Sequence, residues 1–305
     1  MRIALAGSTG LIGSAFAAAA RADGHDVVPM VRPQTAGVAT GIAWDPAAGS
    51  IDAAALEGVD AVVNLTGRSI GERRWNAREK ELIRTSRVHG TGLIARTLAA
   101  ADRGPTIWLN ASAVGIYGDR PGEVLTEDSP PGEGFLAEVV GEWEAAAAPA
   151  QEAGIRVVHL RTGIVLSTGG GALARMLAPF GPAWLSPFRW GLGGRLGSGR
   201  TVWPWISLED EVGAVRHLLA SDLAGPVNLT APGPVSNAEF TRALGRVMRR
   251  ATAIPIPRFV LDVVLGRELA ETLLFTSQDV RPARLLGDGF SFRHDEVEDA
   301  LRAAF

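Results

Sequence analysis

The chain has no cysteine among its 305 residues, which excludes disulfides, thiolate catalysis and cysteine-ligated metals. Histidine is also scarce, and the five histidines are too scattered to show metal-ligand spacing. They are His25, His89, His159, His217 and His294. We interpret each of them as a surface or packing residue and predict no bound metal.

Long hydrophobic runs are missing as well. The longest apolar stretch, Phe259 to Leu265, is interrupted by Asp262 and falls far short of the roughly 20 residues of a membrane-spanning helix. The first residues lack the pattern of a signal peptide. A net charge of −3 gives no electrostatic reason to bind nucleic acid or an anionic membrane. We therefore expect a cytoplasmic protein that acts on a small-molecule substrate, with neither nucleic acid nor membrane as partner.

What the chain does have is regular alternation. Short β-branched runs alternate with helix-like segments, which is typical of βαβ units around a parallel sheet. The predicted strands are Arg2–Ala6, Val27–Val31, Ile42–Trp44, Asp60–Leu65, Thr106–Leu109, Arg156–Leu160 and Pro226–Leu229. The predicted helices include Leu11–Ala22, Ala77–Ala100 and Phe135–Ala153. Pro29 conflicts with the second strand because proline removes a ladder donor, but the flanking residues still favour a strand.

Two later regions depart from this alternation. Residues 167–200 are rich in glycine, proline and aromatics, and the loop Pro179–Trp190 is expected either to shape an apolar pocket or to be buried in a core. Further along, Ser236 and Glu239 form a capping-box pattern that opens another helix. We predict a nucleotide-binding domain of residues 1–166 plus 202–230, and a substrate-binding cap of residues 167–201 plus 231–305.

The first strand leads directly into three glycines, Gly7, Gly10 and Gly13, followed by an amphipathic helix. Glycines let the backbone approach a pyrophosphate, and the helix N-terminus offers free N–H groups and the positive end of its dipole. An ordinary tight turn is the alternative, but the position at the start of a βαβ pattern favours a dinucleotide site.

The type of residue at the end of the second strand indicates which dinucleotide binds. An acidic residue there would bind the ribose 2′-hydroxyl of NAD, whereas an arginine suits the 2′-phosphate of NADP. Arg32 stands at this point, and no acidic residue occurs between Val27 and Gly41. NADP(H) is therefore favoured over NAD.

Seven motifs together resemble a known family. They are "GSTGLIG", "VVNLTG", "RRW", "SAVGIYGD", "LRTGIVL", "GLGGRLGSGR" and "PWISLED". In this order they are similar to an atypical branch of the extended short-chain dehydrogenase/reductases, the epimerase-family (sugar-nucleotide-epimerase-like) group with a C-terminal domain of unknown function. The resemblance implies a Rossmann-type doubly wound parallel sheet, a smaller C-terminal α/β cap and bound NADP(H). Paired helices in such relatives also imply a homodimer.

The resemblance also implies where the cofactor lies. The phosphates fall on the glycine loop, the 2′-phosphate on Arg32, the adenosine half beside the fourth strand, and the nicotinamide near Val165. The implied cofactor-binding residues are Gly7, Ser8, Thr9, Gly10, Leu11, Ile12, Gly13, Arg32, Leu65, Thr66, Gly67, Arg87 and Val165. For Arg87 the residues themselves favour an ordinary helix-surface arginine.

The usual catalytic pair of that superfamily, Tyr-x-x-x-Lys, cannot occur in this chain. Its lysine lowers the pKa of the tyrosine, which exchanges a proton with the substrate oxygen while hydride moves. Here the only lysine, Lys80, precedes the only tyrosine, Tyr117, and Phe135 stands where the resemblance puts the tyrosine. Ser112 and Tyr117 are the candidate catalytic residues, and a packing role for Tyr117 is the favoured alternative.

Arginines are the other residues that could act on a substrate. Arg74, with its neighbours Arg73 and Trp75, and Arg200 are candidates for a substrate pocket that binds a carboxylate or phosphate. Solvated surface arginines are the alternative.

The leading functional hypothesis is an NADP(H)-dependent oxidoreductase acting on a small carbonyl or alcohol. A non-catalytic NADP(H)-binding regulator and a nucleotide-sugar epimerase or dehydratase remain as alternatives.

Overall fold

The computed structural model describes residues 1–32, 41–177, 188, 191 and 193–305. The strands in these ranges are β1 (Arg2–Ala6), β2 (Asp26–Val31), β3 (Ile42–Asp45), β4 (Ser50–Ile51), β5 (Ala61–Asn64), β6 (Ile107–Ala113), β7 (Val124–Leu125), β8 (Arg156–Thr162), β9 (Ile164–Leu166), β10 (Val202–Trp203), β11 (Trp205–Ser207), β12 (Gly225–Leu229), β13 (Val235–Ser236) and β14 (Asp279–Val280). The helices there are α1 (Leu11–Ala22), α2 (Ala77–Ala99), α3 (Phe135–Ala145), α4 (Ala148–Glu152), α5 (Gly171–Leu177), α6 (Leu208–Ala220), α7 (Asn237–Met248), α8 (Arg258–Leu265), α9 (Arg267–Ala270), α10 (Ala283–Gly287) and α11 (Val297–Ala304). In the ranges described, none of the helices combines the length and the hydropathy needed to cross a bilayer.

Eight strands form one sheet in the order β4-β3-β2-β1-β5-β6-β8-β12. All neighbours in it pair in parallel except β3 and β4, which pair antiparallel. The strand order reverses at β1, between β2 and β5, and ligands of such sheets bind beyond the carboxyl ends of the strands at this point. The predicted Rossmann-type doubly wound sheet is confirmed.

Both faces of the sheet are covered, and the side chains of β1 show how. Ile3 and Leu5 pack in one buried cluster with Phe16 of α1. Ala4 packs in the opposite cluster with Ile94 of α2. Successive side chains of a strand point to opposite faces, so a strand buried on both faces has a continuous apolar sequence.

Pro29 is accommodated in β2 without breaking the sheet. It lies opposite Leu5 of β1, and β3 pairs with β2 only from Met30 onward. Among the described residues, none pairs with Pro29 on the edge of β2 that faces β3. The missing proline donor costs the sheet little, because proline is tolerated where one edge is open.

The single helix predicted over residues 135–153 is wrong, because the structure has two helices, α3 and α4. α3 ends at Ala145, and Pro149 follows at the start of α4. A proline lacks the N–H that would bond to the residue four positions earlier, and its ring clashes with that carbonyl. That earlier residue is Ala145, so the proline explains where the first helix ends.

The fifth strand of the sequence prediction is longer than expected. β6 continues from Leu109 through Ala113 because β8 provides parallel partners over the same length, with Ser112 opposite Arg161 and Ala113 opposite Thr162. Ser112 is therefore a residue within the strand and not in the loop that follows it. Tyr117 ends the short 3-10 turn after the strand.

A further core lies among the elements of the C-terminal part. Trp205 and Phe240 are buried in it, together with residues of α5 and α11. The predicted capping box of α7 is confirmed, since the Ser236 hydroxyl and the Glu239 side chain each accept from the other residue's backbone. The boundaries of the cap stay a prediction. Of the loop Pro179–Trp190, only Phe188 lies within the described residues, and it is buried in this core.

Candidate cofactor and active site

The glycine loop is shaped by close backbone contacts. Gly7 has φ +87°, a conformation that side chains rarely adopt, and a Cβ there would lie 2.9 Å from the carbonyl oxygen of Leu65. A Cβ on Gly13 would lie 2.1 Å from the carbonyl oxygen of Gly7. The loop therefore packs directly on the carboxyl end of β5, and α1 packs directly on the loop. Only glycine fits at both positions.

The N-terminus of α1 is open toward this loop. The N-cap residue is Gly10, and none of the described side chains caps the helix. Thr9 and Gly10 are exposed, and the amide of Gly10 donates to the Gly7 carbonyl at 3.0 Å. The first N–H groups of a helix have no partner within the helix. Such a terminus at the reversal point of a parallel sheet suits an anionic ligand.

The carboxyl end of β5 is held by a pair of buried amides that sequence reasoning missed. Asn64 Nδ2 donates to Asn110 Oδ1 of β6 at 2.8 Å. The Oδ1 atom of Asn64 accepts from the Thr66 hydroxyl at 2.6 Å and from the Thr66 amide at 3.2 Å. These bonds fix the turn after β5, where the sequence predicted that Leu65, Thr66 and Gly67 lie along a cofactor.

Arg87 of α2 points at the same turn. A Cβ on Gly67 would lie 3.3 Å from the guanidinium of Arg87. That guanidinium donates to the Ile83 carbonyl at 3.1 Å and lies 5.1 Å from the ring centroid of Trp143. Burial lowers the pKa of Arg87 to about 10. Among the described residues, none of the carboxylates forms an ion pair with it.

Arg32 and Val165 occupy positions that leave their predicted roles open. Arg32 is exposed directly after β2, at the carboxyl edge of the sheet, and the residues that follow it, 33–40, lie outside the described ranges. Val165 lies half-buried in β9, opposite Ile206 of β11.

Tyr117 is fully buried, with 0% of its surface exposed. Its hydroxyl donates to Asn228 Oδ1 at 2.7 Å and accepts from Arg161 at 3.0 Å. Burial raises the pKa of this phenol, against the opposing effect of the Arg161 charge. The placement fits the packing alternative better than the role of a proton donor to a bound substrate.

The hydroxyl of Ser112 is also engaged in a hydrogen bond within the protein. Its hydroxyl donates to Glu144 Oε1 at 2.6 Å, and Arg161 donates to both oxygens of the same carboxylate at 2.8 and 2.9 Å. Burial opposes the charge of Glu144, but the hydrogen bonds and charge of Arg161 hold its pKa below the ordinary value. Sequence reasoning missed this buried ion pair, and nothing in the local pattern pointed to it.

A second buried carboxylate lies in α6. Glu211 is 0% exposed, and its Oε1 atom accepts from the Thr162 hydroxyl at the end of β8 at 2.9 Å. Its Oε2 atom has no partner among the described residues. Burial raises the pKa of Glu211 to about 8.

The first residue of α3, Phe135, packs against the ring of Trp75 and the ammonium group of Lys80. The edge of Trp75 contacts it at a centroid distance of 5.1 Å. Lys80 Nζ lies 4.6 Å from the centroid of the Phe135 ring and forms a 2.5 Å ion pair with Glu268 of α9. The only lysine of the chain thus lies beside the residue that the sequence aligned with the missing tyrosine.

The predicted arginine pocket is not brought together as a unit. The Arg74 guanidinium donates to the backbone carbonyls of Val263 and Val264 at the end of α8, which matches a cation placed at a helix C-terminus. Arg200 is exposed before β10, and no contact in the described ranges joins it to Arg74 or Trp75. Those ranges also contain no group of three acidic or histidine side chains placed to hold a metal.

Two family models match the chain. One, described as the NAD dependent epimerase/dehydratase family, matches residues 3–229. The other, described as Domain of unknown function (DUF1731), matches residues 256–304. The first model covers the eight-stranded sheet except for Arg2, the first residue of β1, and the second covers α8 to α11.

Individual proteins are similar over nearly the full length. An epimerase family protein of Mycobacterium bovis is 45% identical over 300 residues, covering 98% of this chain and 96% of that protein. The human epimerase family protein SDR39U1 is 37% identical over 306 residues, covering 99% of both. A crystal structure of human SDR39U1 (isoform2) with NADPH has a TM-score of 0.88 at 35% identity, covering 100% of this chain and 99% of that chain.

Proposed function

The chain belongs to the NAD dependent epimerase/dehydratase family, and from that premise we propose that it is an NADP(H)-dependent oxidoreductase of the extended short-chain dehydrogenase/reductase type. The observation that carries the proposal is the cradle formed by the glycine loop, in which added Cβ atoms on Gly7 and Gly13 would meet backbone. The NADPH in the structure of the human relative supports the choice of cofactor. The substrate class that we propose is a small carbonyl or alcohol.

The residues present fit this cofactor. The N–H groups at the start of α1 would receive the pyrophosphate, and Arg32 would pair with the 2′-phosphate. Arg87 is a half-buried cation that forms no ion pair with any described carboxylate, so an anionic or strongly polar group beside Gly67 would stabilise it. When bound, NADPH supplies a hydride at nicotinamide C4.

The roles of the substrate-side residues stay predictions. Arg74 contacts α8 and Trp75 contacts Phe135, the first residue of α3, which supports a place for both between the helices of the sheet and the C-terminal elements. In the part of the chain that the structure describes, no contact links Arg200 to them. For Tyr117 and Ser112, the burial and hydrogen bonds of both side chains support an anchoring role over a catalytic one.

Calorimetry with NADPH and NADH tests the cofactor proposal. We expect NADPH to bind, and Arg32→Ala to weaken NADPH binding roughly tenfold to a hundredfold while leaving NADH nearly unchanged, because a hydrogen bond to a charged group contributes about 1.5–3 kcal/mol. Arg103→Ala is the matched control, since its side chain is 83% exposed beyond the other end of α2. Absence of NADPH binding, or equal affinity after Arg32→Ala, would contradict the proposal.

A non-catalytic NADP(H)-binding protein is the second candidate. It is favoured by the absence of Tyr-x-x-x-Lys and by the burial of the only tyrosine. Oxidation of NADPH by the purified protein across a panel of small carbonyl compounds separates the two. Turnover with any of them supports the oxidoreductase, whereas stoichiometric binding with no turnover across the panel supports the second candidate.

A further inference from the structure

A carbonyl reduction at this site needs a proton donor. The hydroxyls of the two candidates chosen from the sequence are already engaged in hydrogen bonds within the protein. The Tyr117 hydroxyl is fully buried between Asn228 and Arg161. The Ser112 hydroxyl is held by the carboxylate of Glu144. Arginine is a poor proton donor in proteins, and Arg87, whose pKa burial lowers to about 10, faces Gly67, where the proposed function has it meet a polar group of the ligand. The donor must be sought among the other side chains at the carboxyl edge of the sheet.

Lys80 lies at that edge. It is in the first turn of α2, which follows β5, and it touches Phe135, the first residue of α3, which follows β6. The helices that follow two central parallel strands begin at the edge where the strands end, the same edge that carries the glycine loop.

The helix geometry also places Lys80 on the face of α2 that reaches the turn after β5. Lys80 and Arg87 are seven residues apart, so they lie on the same face of α2, about 10 Å apart along its axis. Arg87 on that face contacts Gly67 at the end of β5. A ligand that extends from Gly67 along this face of α2 therefore approaches the ammonium group of Lys80.

The surroundings of the ammonium group suit proton donation. One of its three protons is directed at Glu268, and no other described residue accepts a hydrogen bond from it. The side chains of Lys80 and Glu268 are 30% and 52% exposed, so water can restore a proton that has been given up. The rings of Phe135 and Trp75 form an apolar wall on one side.

We propose that Lys80 is the proton donor of this site. In the reduction, the carbonyl carbon gains the hydride supplied by NADPH, the C=O double bond becomes a single bond, and the oxygen takes a proton from Nζ. Lys80 is left as a neutral amine and regains a proton from water. The proposal rests on the proposed function, and it assigns to the single lysine the step that a tyrosine phenol performs elsewhere in the superfamily.

The scarcity of lysine gives a direct test that does not need the substrate. Acetylation of the whole protein by an N-hydroxysuccinimide acetate can modify only two amines, Lys80 Nζ and the Met1 α-amine, and mass spectrometry follows them separately. Met1 pairs with His25 before β1 and is the internal control. We expect saturating NADPH to slow acetylation of Lys80 at least fivefold and to leave Met1 unchanged.

The outcomes of this test are distinct. An unchanged Lys80 rate, at NADPH concentrations where calorimetry shows saturation, would overturn the proposal for Lys80 and leave the proposed cofactor intact. Failure to detect NADPH binding by calorimetry would overturn the proposed function itself.

Two variants separate proton donation from a purely structural ion pair. Lys80→Arg keeps the positive charge and the partner Glu268 but removes the donor, whereas Glu268→Gln keeps the lysine and removes the ion pair. With a carbonyl compound that the unaltered protein reduces, we expect Lys80→Arg to lose turnover at least a hundredfold at an NADPH affinity within threefold. Glu268→Gln should lose less than tenfold. The reverse order would overturn the proposal, and a panel with no turnover by the unaltered protein would count against the proposed function.

Discussion

The glycine loop and the segment around Tyr117 both lie at the carboxyl edge of the sheet, but they are built differently. The loop is formed by backbone atoms in close contact, and its tip at Thr9 and Gly10 is exposed. The segment around Tyr117 is formed by buried side chains whose polar atoms bond to one another, as Arg161 does with Glu144. The loop has N–H groups to offer a ligand, whereas the hydroxyl of Tyr117 is already used by the fold.

Ligand binding and catalysis therefore depend on different features of the molecule. A ligand held by backbone amides depends on conformation, which glycine provides at Gly7 and Gly13. A catalytic step depends on a side chain that is both positioned and accessible. In this protein Tyr117 is positioned but buried, while Lys80 is positioned by Glu268 and partly exposed.

The largest effect is expected from a change in the glycine loop. In Gly13→Val, the new Cβ would lie 2.1 Å from the Gly7 carbonyl oxygen, so the loop or α1 must shift and the backbone N–H groups lose their arrangement. We expect NADPH binding to fall below detection by calorimetry. Gly287→Ala is the control, because a Cβ there meets no atom within 4 Å. Normal NADPH affinity in a folded Gly13→Val protein would show that the loop is not the binding site.

A smaller effect is expected in the Tyr117 segment, and on stability instead of binding. Tyr117→Phe removes the hydroxyl that joins Asn228 to Arg161, which leaves the buried Oδ1 atom of Asn228 without its donor. We expect the free energy of unfolding in urea to fall by about 1–3 kcal/mol, with NADPH affinity unchanged. If unfolding were unaltered while turnover of a carbonyl compound collapsed, Tyr117 would be catalytic after all and the contrast between the two regions would fail.

The sequence predicted the first region better than the second for a physical reason. A glycine loop, a strand or a capping box is set by residues a few positions apart, so the prediction of β1, α1 and the Ser236 cap is confirmed. The helix predicted over residues 135–153 was wrong because one proline, Pro149, interrupts the helical pattern. The cause of this error is also local, so the break between the two helices could have been predicted from the position of the proline.

The side chains of the second region are placed by contacts distant in sequence. Tyr117 meets Asn228 across 111 residues and Arg161 across 44. Arg74, predicted to bind substrate, instead donates to a helix end 190 residues away. No local pattern encodes such pairs, so the sequence could name Tyr117 as a candidate but could not show that it is buried.

The smallest predicted effect concerns Glu211, a carboxylate enclosed behind the same strands. Its folded-state pKa of about 8 lies above the unfolded value of 4.5, so between these values the folded protein holds a proton that the unfolded chain has released. Stability must therefore fall as pH rises through this window, by at most about 1.4 kcal/mol per pH unit, and level off above it. Glu211→Gln cannot ionise, so urea unfolding at pH 6.5 and 7.5 should show the unaltered protein losing about 1 kcal/mol relative to this variant. An equal pH dependence in both proteins would mean that Glu211 is ionised in the fold, and that its Oε2 atom is solvated or bound to a cation.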